Sequence, residues 1–118
     1  MKFCLILSPE HDFHNNAGFF VFKSIDLPEE PLEGQVIEIH GIKAFLIAID
    51  YNGAEEYPIL WMHCKSMNSL CHALIHDPNG WRVEGSSEET KRDLLNNLRR
   101  LAKDLFEQGK FDFVLKKT

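Results

Sequence analysis

No apolar run in this sequence approaches the roughly 20 residues that a membrane-spanning helix needs. The opening M-K-F-C-L-I-L-S-P-E-H-D holds one short apolar run, Phe3–Leu7, closed by Pro9, Glu10 and Asp12. A secretory signal needs an apolar core of about seven to fifteen residues, so this run reads as a first strand instead. Cysteine is scarce: the chain has 3, an odd number that cannot all pair internally. Free thiols suit a reducing compartment, and the cytoplasm is the expected location.

Chemical signatures are also missing. There is no Gly-x-Ser-x-Gly elbow, no phosphate loop and no dinucleotide fingerprint. No internal repeat or low-complexity tract interrupts the 118 residues, a length that suits a single domain spanning 1–118. Positive charge is sparse over most of the chain. Up to Ser86 there are five Lys/Arg against twelve Asp/Glu; from Ser87 onward there are eight against six, giving the net −5. An acidic body disfavours nucleic acid and anionic membrane surfaces, both of which demand a basic footprint.

What is present speaks first of strands. Gly18–Leu27 is aromatic and β-branched, with Lys23 and Ser24 breaking its apolar run. A Pro- and Glu-rich loop, Pro28–Gly34, leads into Val36–Tyr51. There His40-Gly41 occupies the place of a two-residue hairpin turn, which requires positive φ. Phe45, Ile47, Ile49 and Tyr51 alternate with Ala44, Leu46 and Ala48, so that strand is expected to be central and covered on both faces. After the Asn52-Gly53 turn, Tyr57–Cys64 is again apolar on both faces, with Pro58 near its start. Short links favour antiparallel pairing of consecutive strands.

The last third speaks of helix. A short one is expected over about 67–76, capped by Ser66 or Asn68. A long amphipathic one is expected over about 88–108, opened by a Ser86/Glu89 capping box. Leu94, Leu95, Leu98, Leu101, Ala102, Leu105 and Phe106 give it an apolar stripe, and Gly109 a stop. Phe111, Phe113 and Leu115 alternate as a final strand over about 111–115. Strands followed by helices argue for an α+β fold. The sheet is expected to be an antiparallel meander, or a barrel-like sheet, of about five to six strands.

The densest chemistry lies in His63–His76, with three histidines and two cysteines in fourteen residues. Strand alternation sends His63 and Cys64 to opposite faces. Helical spacing puts Cys71 on an apolar face and His72 and His76 on the other. Cys-x6-Cys is not a zinc-knuckle spacing. His72 and His76 form a chelating pair in need of a third ligand, and a surface pair is the simpler reading. His11 and His14 lie in a polar loop and would make a metal site only by meeting His40 or His63. The plainer reading gives no catalytic residue, no metal and no cofactor.

Charge supplies the remaining signal. Asp26, Glu29, Glu30 and Glu33 cluster around two prolines, and Arg92, Arg99 and Lys103 lie along one flank of the long helix. An acidic patch speeds association with a basic partner. The expected function is therefore a small acidic binding protein: an accessory subunit, an inhibitor or an immunity-type protein acting on a basic protein. A small metal-dependent enzyme using loop and strand histidines is the first alternative, and a non-catalytic homodimer the second.

Overall fold

The computed structural model describes residues 1–9, 20–52, 56–85 and 88–115. The strands are β1 (Lys2–Pro9), β2 (Phe20–Asp26), β3 (Val36–Ile39), β4 (Ile42–Asp50), β5 (Ile59–Cys64) and β6 (Arg82–Glu84). The helices are α1 (Met67–His76), α2 (Glu88–Leu101) and α3 (Lys103–Glu107), with a 3-10 turn at Asp112–Leu115. The strands form one sheet in the order β3-β4-β5-β1-β2-β6. The α+β class and the strand number agree with the sequence reading, but the sheet is mixed rather than an antiparallel meander. β1 pairs β5 in parallel, with Cys4 opposite Ile59 and Pro9 opposite Cys64. The sheet's other pairings are antiparallel, and β3 and β6 are its edges, so no barrel closes among the described residues.

β1 is central, and its apolar run is buried on both sides. Phe3, Leu5 and Leu7 enter the main core, whereas Cys4 and Ile6 pack with Ile59, Phe20 and Phe22 on the other face. β4, the strand expected to be covered on both faces, is covered on one only. Ala44 and Leu46 are buried, while Phe45 and Ile47 are exposed. An irregularity in the β4–β5 register moves Ile49, expected on the face of Phe45 and Ile47, to the core side. Leu46 opposes Met62 and Ala48 opposes Trp61, which leaves Ile47 as an extra, bulged residue. The His40-Gly41 turn has φ of 48 and 78, both positive, as its two-residue length requires.

The helices cover one face. Ser66 caps α1, its Oγ accepting from the backbone N–H of Ser69 at 3.2 Å. Leu70, Cys71, Ala73 and Leu74 of α1 are buried against the sheet and α2. Leu94 and Leu98 of α2 complete that core, and each fully buried Leu contributes about 1.5–3 kcal/mol. The expected single helix over 88–108 is two. Ala102 sits at φ −145 and ψ 63, outside helical geometry, although its N–H still donates to Leu98 O and its carbonyl accepts from Phe106 N. The break divides the apolar stripe between two short cylinders. Ser86, half of the expected capping box, lies outside the described residues, while Glu88 and Glu89 occupy the first turn of α2. The expected strand at 111–115 is instead the 3-10 turn. Val114 within it and Phe111 just before it, three residues apart, are buried.

Candidate functional site

Two features stand out, one on the surface and one inside. The surface feature begins with the loop joining β2 to β3. It runs past the end of the sheet where β2 and β4 finish and β1 and β5 start, so Asp26, Glu29, Glu30 and Glu33 share that end. The loop is fastened to β4. Gly34 N–H donates to Leu46 O at 2.8 Å, and Leu46 N–H donates to Gln35 O at 2.9 Å. Ile49 N–H donates to Glu33 Oε1 at 3.0 Å, and the Tyr51 hydroxyl donates to Glu30 Oε1. The Glu30 carboxylate holds the Tyr51 phenol above its ordinary pKa. The acidic loop is thus laid along the sheet beside the exposed face of β4.

The interior feature is a polar cluster built around Lys23. Period-two alternation places Lys23 between Val21 and Ile25 on the helix-facing side of β2, where it is only 9% exposed. Its Nζ donates to Asp77 Oδ2 at 2.7 Å and to the carbonyl of Asn79 at 2.8 Å. It also lies 5.0 Å from the centroid of the Trp81 ring. Trp81 Nε1 donates to Asp77 O at 2.5 Å. Asp77 is the residue that ends α1, so one buried ammonium gathers the helix end and the 77–81 turn. The His40 ring stands edge-on to Trp81 at 5.5 Å, with Nδ1 3.9 Å from Asp77 Oδ2. Among the described residues its buried Nε2 has no hydrogen-bond partner.

Electrostatics fixes the ionisation here. The Lys23 hydrogen bond holds Asp77 below the usual carboxylate range. Burial, helped by the charge of Lys23, pushes His40 below its ordinary value and outweighs the opposing pull of Asp77. The cluster is an ion pair with a neutral imidazole beside it. Both hydrogen bonds described for Lys23 go to groups of its own fold, which makes the cluster a structural fastening.

The other predicted positions are dispersed. Arg92 and Arg99 are exposed on α2 and Lys103 on α3, where it pairs with Glu107 at 3.9 Å. α2 packs on α1, so this basic flank and the acidic loop belong to different faces, and the helix break divides the flank. The fourteen-residue His/Cys stretch separates as its spacing implies. Cys64 and Cys71 enter the main core, while His72 and His76 are exposed. Burial pushes the Cys71 thiol up to about 12. Among the described residues no three His, Cys, Asp or Glu side chains form a metal-holding group. His11 and His14 lie outside those residues. No helix among the described residues is long and apolar enough to cross a membrane.

Sequence reasoning missed Lys23, Asp77 and Trp81. The signal for Lys23 was present, since a charge occupied an inward position of an alternating strand. Nothing in the order of residues marked Asp77 as its partner. Comparison with known proteins finds no matching family model, no matching curated protein and no matching solved structure.

Proposed function

We propose that this chain is a small protein-binding domain that receives a basic protein, in the manner of an accessory subunit, an inhibitor or an immunity-type protein. One observation carries the reading: Asp26, which ends β2, and Glu29, Glu30 and Glu33 lie at one end of the sheet, the three glutamates on a loop fastened to β4 by backbone and side-chain hydrogen bonds. A field fixed in place steers a partner better than charges on a loose tether, because less ordering accompanies binding. The cytoplasm suits the buried thiols of Cys4, Cys64 and Cys71.

The test uses immobilised wild-type chain and a variant carrying Asp26→Lys, Glu29→Lys, Glu30→Lys and Glu33→Lys. A basic protein retained by the wild type is eluted with salt and purified. Its association rate is then measured by stopped flow at rising ionic strength. The expected result is a fall of at least about ten-fold, both with salt and on charge reversal. A rate indifferent to both overturns the proposal.

A further inference from the structure

We infer that the outward face of the sheet, on which no helix of the described residues packs, is the floor on which the basic protein partner docks. This rests on the reading above and adds the contact surface. α1 and α2 stack in succession on the opposite side. On the outward side no helix among the described residues packs, and large apolar side chains stay in water: Val36 is 61% exposed, Phe45 44%, Ile47 40% and Trp61 38%.

These residues form one tract. Val36 is directly opposite Phe45 across the β3–β4 pair. Ile6 of the central strand lies between Trp61 and Phe22. Phe20 meets Trp61 edge to face at 6.1 Å, tying β2 to β5. Ile47, two residues along β4 from Phe45 at the register irregularity, is exposed as well. Two exposed aromatic rings, Phe45 and Trp61, and two exposed aliphatic side chains, Val36 and Ile47, beside the half-buried Phe20 and Phe22, are the composition of an interface core rather than of scattered surface residues.

Charge complementarity names the occupant. The acidic loop is bonded to β4, the strand that carries Phe45 and Ile47, so charge and apolar floor adjoin. Across the tract itself charge is balanced: Glu38 opposes Lys43, and Glu84 lies opposite Phe20 close to Arg82. At the loop end Lys2 opposes Asp26 and the N-terminal ammonium donates to Leu27 O, so the acidity of that side comes from Glu29, Glu30 and Glu33. A partner is oriented by its basic side toward the loop and covers Phe45 and Trp61 with the rest of its surface. Arginine suits such a floor, because a guanidinium pairs with carboxylates and stacks on aromatic rings.

The experiment uses the full chain, the salt-eluted basic protein, and the exposed-site variants Phe45→Ser and Trp61→Ser. Arg99→Ser, on the far side of the helices, serves as control. Thermal melts first establish that the variants fold. Each patch variant is expected to raise Kd by at least about ten-fold, and Arg99→Ser to leave it unchanged. Acrylamide quenching of Trp61 is expected to fall in the complex, since Trp81 is already buried. If the four-residue charge reversal slows association while both patch variants bind normally, the docking floor is wrong and the binding proposal stands. If neither matters, or no basic protein is retained, both fall. A dimer in light scattering that Trp61→Ser dissolves would make the occupant a second copy and overturn the inference.

Discussion

Replacing Lys23 by methionine keeps the length and apolar stem of the side chain but removes the ammonium. The variant loses the bond to Asp77 Oδ2 at 2.7 Å and the bond to Asn79 O at 2.8 Å. Removing one partner of a fully buried ion pair costs about 3–5 kcal/mol, and a hydrogen bond to a charged group about 1.5–3 kcal/mol. Lys23 is buried but the Asp77 side chain is 38% exposed, so water partly re-solvates the orphaned carboxylate. The cost is then about 2–3 kcal/mol, a fall in Tm of roughly 6–12 °C for a domain of this size. Urea unfolding at pH 7 measures it, in a cycle with Asp77→Asn and the double variant. The cycle is expected to show a coupling of more than about 1 kcal/mol, because the two groups share one interaction. The pH dependence adds a second check. Asp77 titrates below its ordinary value in the folded chain, so the pair stabilises above pH about 3.8 and that contribution is lost as pH falls through the lowered folded value. The gap between wild type and Lys23→Met should therefore close only in strong acid. A variant that melts within about 1 °C of wild type at pH 7, or a cycle without coupling, would refute the fastening role.

Three further outcomes follow from the same structure. His40 is neutral and its folded pKa is lowered by burial and then by Lys23, with Asp77 and His76 also facing it, so the unfolded chain binds its proton first. Stability should fall as pH drops below about 6.5, and His40→Asn, which tolerates φ of 48, should flatten that slope; parallel urea midpoints between pH 7 and 5 would contradict this. Gly41→Ala should lose about 1–2 kcal/mol, from positive φ and from a Cβ 2.9 Å from His76 Nδ1; adding His76→Ala should recover the contact part but not the φ part, as read by thermal melts. Cys71, with its thiol pushed up to about 12, should resist a disulfide reagent at pH 8 until the chain is unfolded; rapid labelling of Cys71 in the native state, located by peptide mapping, would show that its site opens.

The strands were legible where alternation was strong. Phe3–Leu7 and the His40-Gly41 hairpin lie where the pattern places them, and the strand expected over Tyr57–Cys64 runs over Ile59–Cys64. Pairing was not legible, because the parallel β1–β5 ladder joins segments far apart in sequence and leaves no local mark. β6 was invisible, since Arg82-Val83-Glu84 offers one buried side chain. Phe111–Leu115 carries both a two-residue and a three-residue apolar period, and the 3-10 turn follows the longer one through Phe111 and Val114. Ala102 is an excellent helix former, so its break carries no signature. Of the candidate site, the acidic loop was readable as composition. The exposed tract was not, because the bulge at Ile47 and the open outward face arise only from the assembled sheet.

The place of Lys23 also bears on folding. On a ribosome, β1 and β2 can pair as soon as both have emerged, but β5 and the helices follow much later. Until then the pair is a bare two-stranded ribbon, which is marginal alone and invites association through its apolar face. In that ribbon Lys23 stands directly opposite Leu5, with Phe3 and Leu7 to either side. A charge at the middle of the stickiest surface opposes stacking with another nascent chain, the role inward-pointing lysines play on exposed strands. The ammonium that later ties Asp77 into the finished domain would first act as a guard against aggregation, and its removal should lower the yield of soluble protein by more than the loss of stability alone explains.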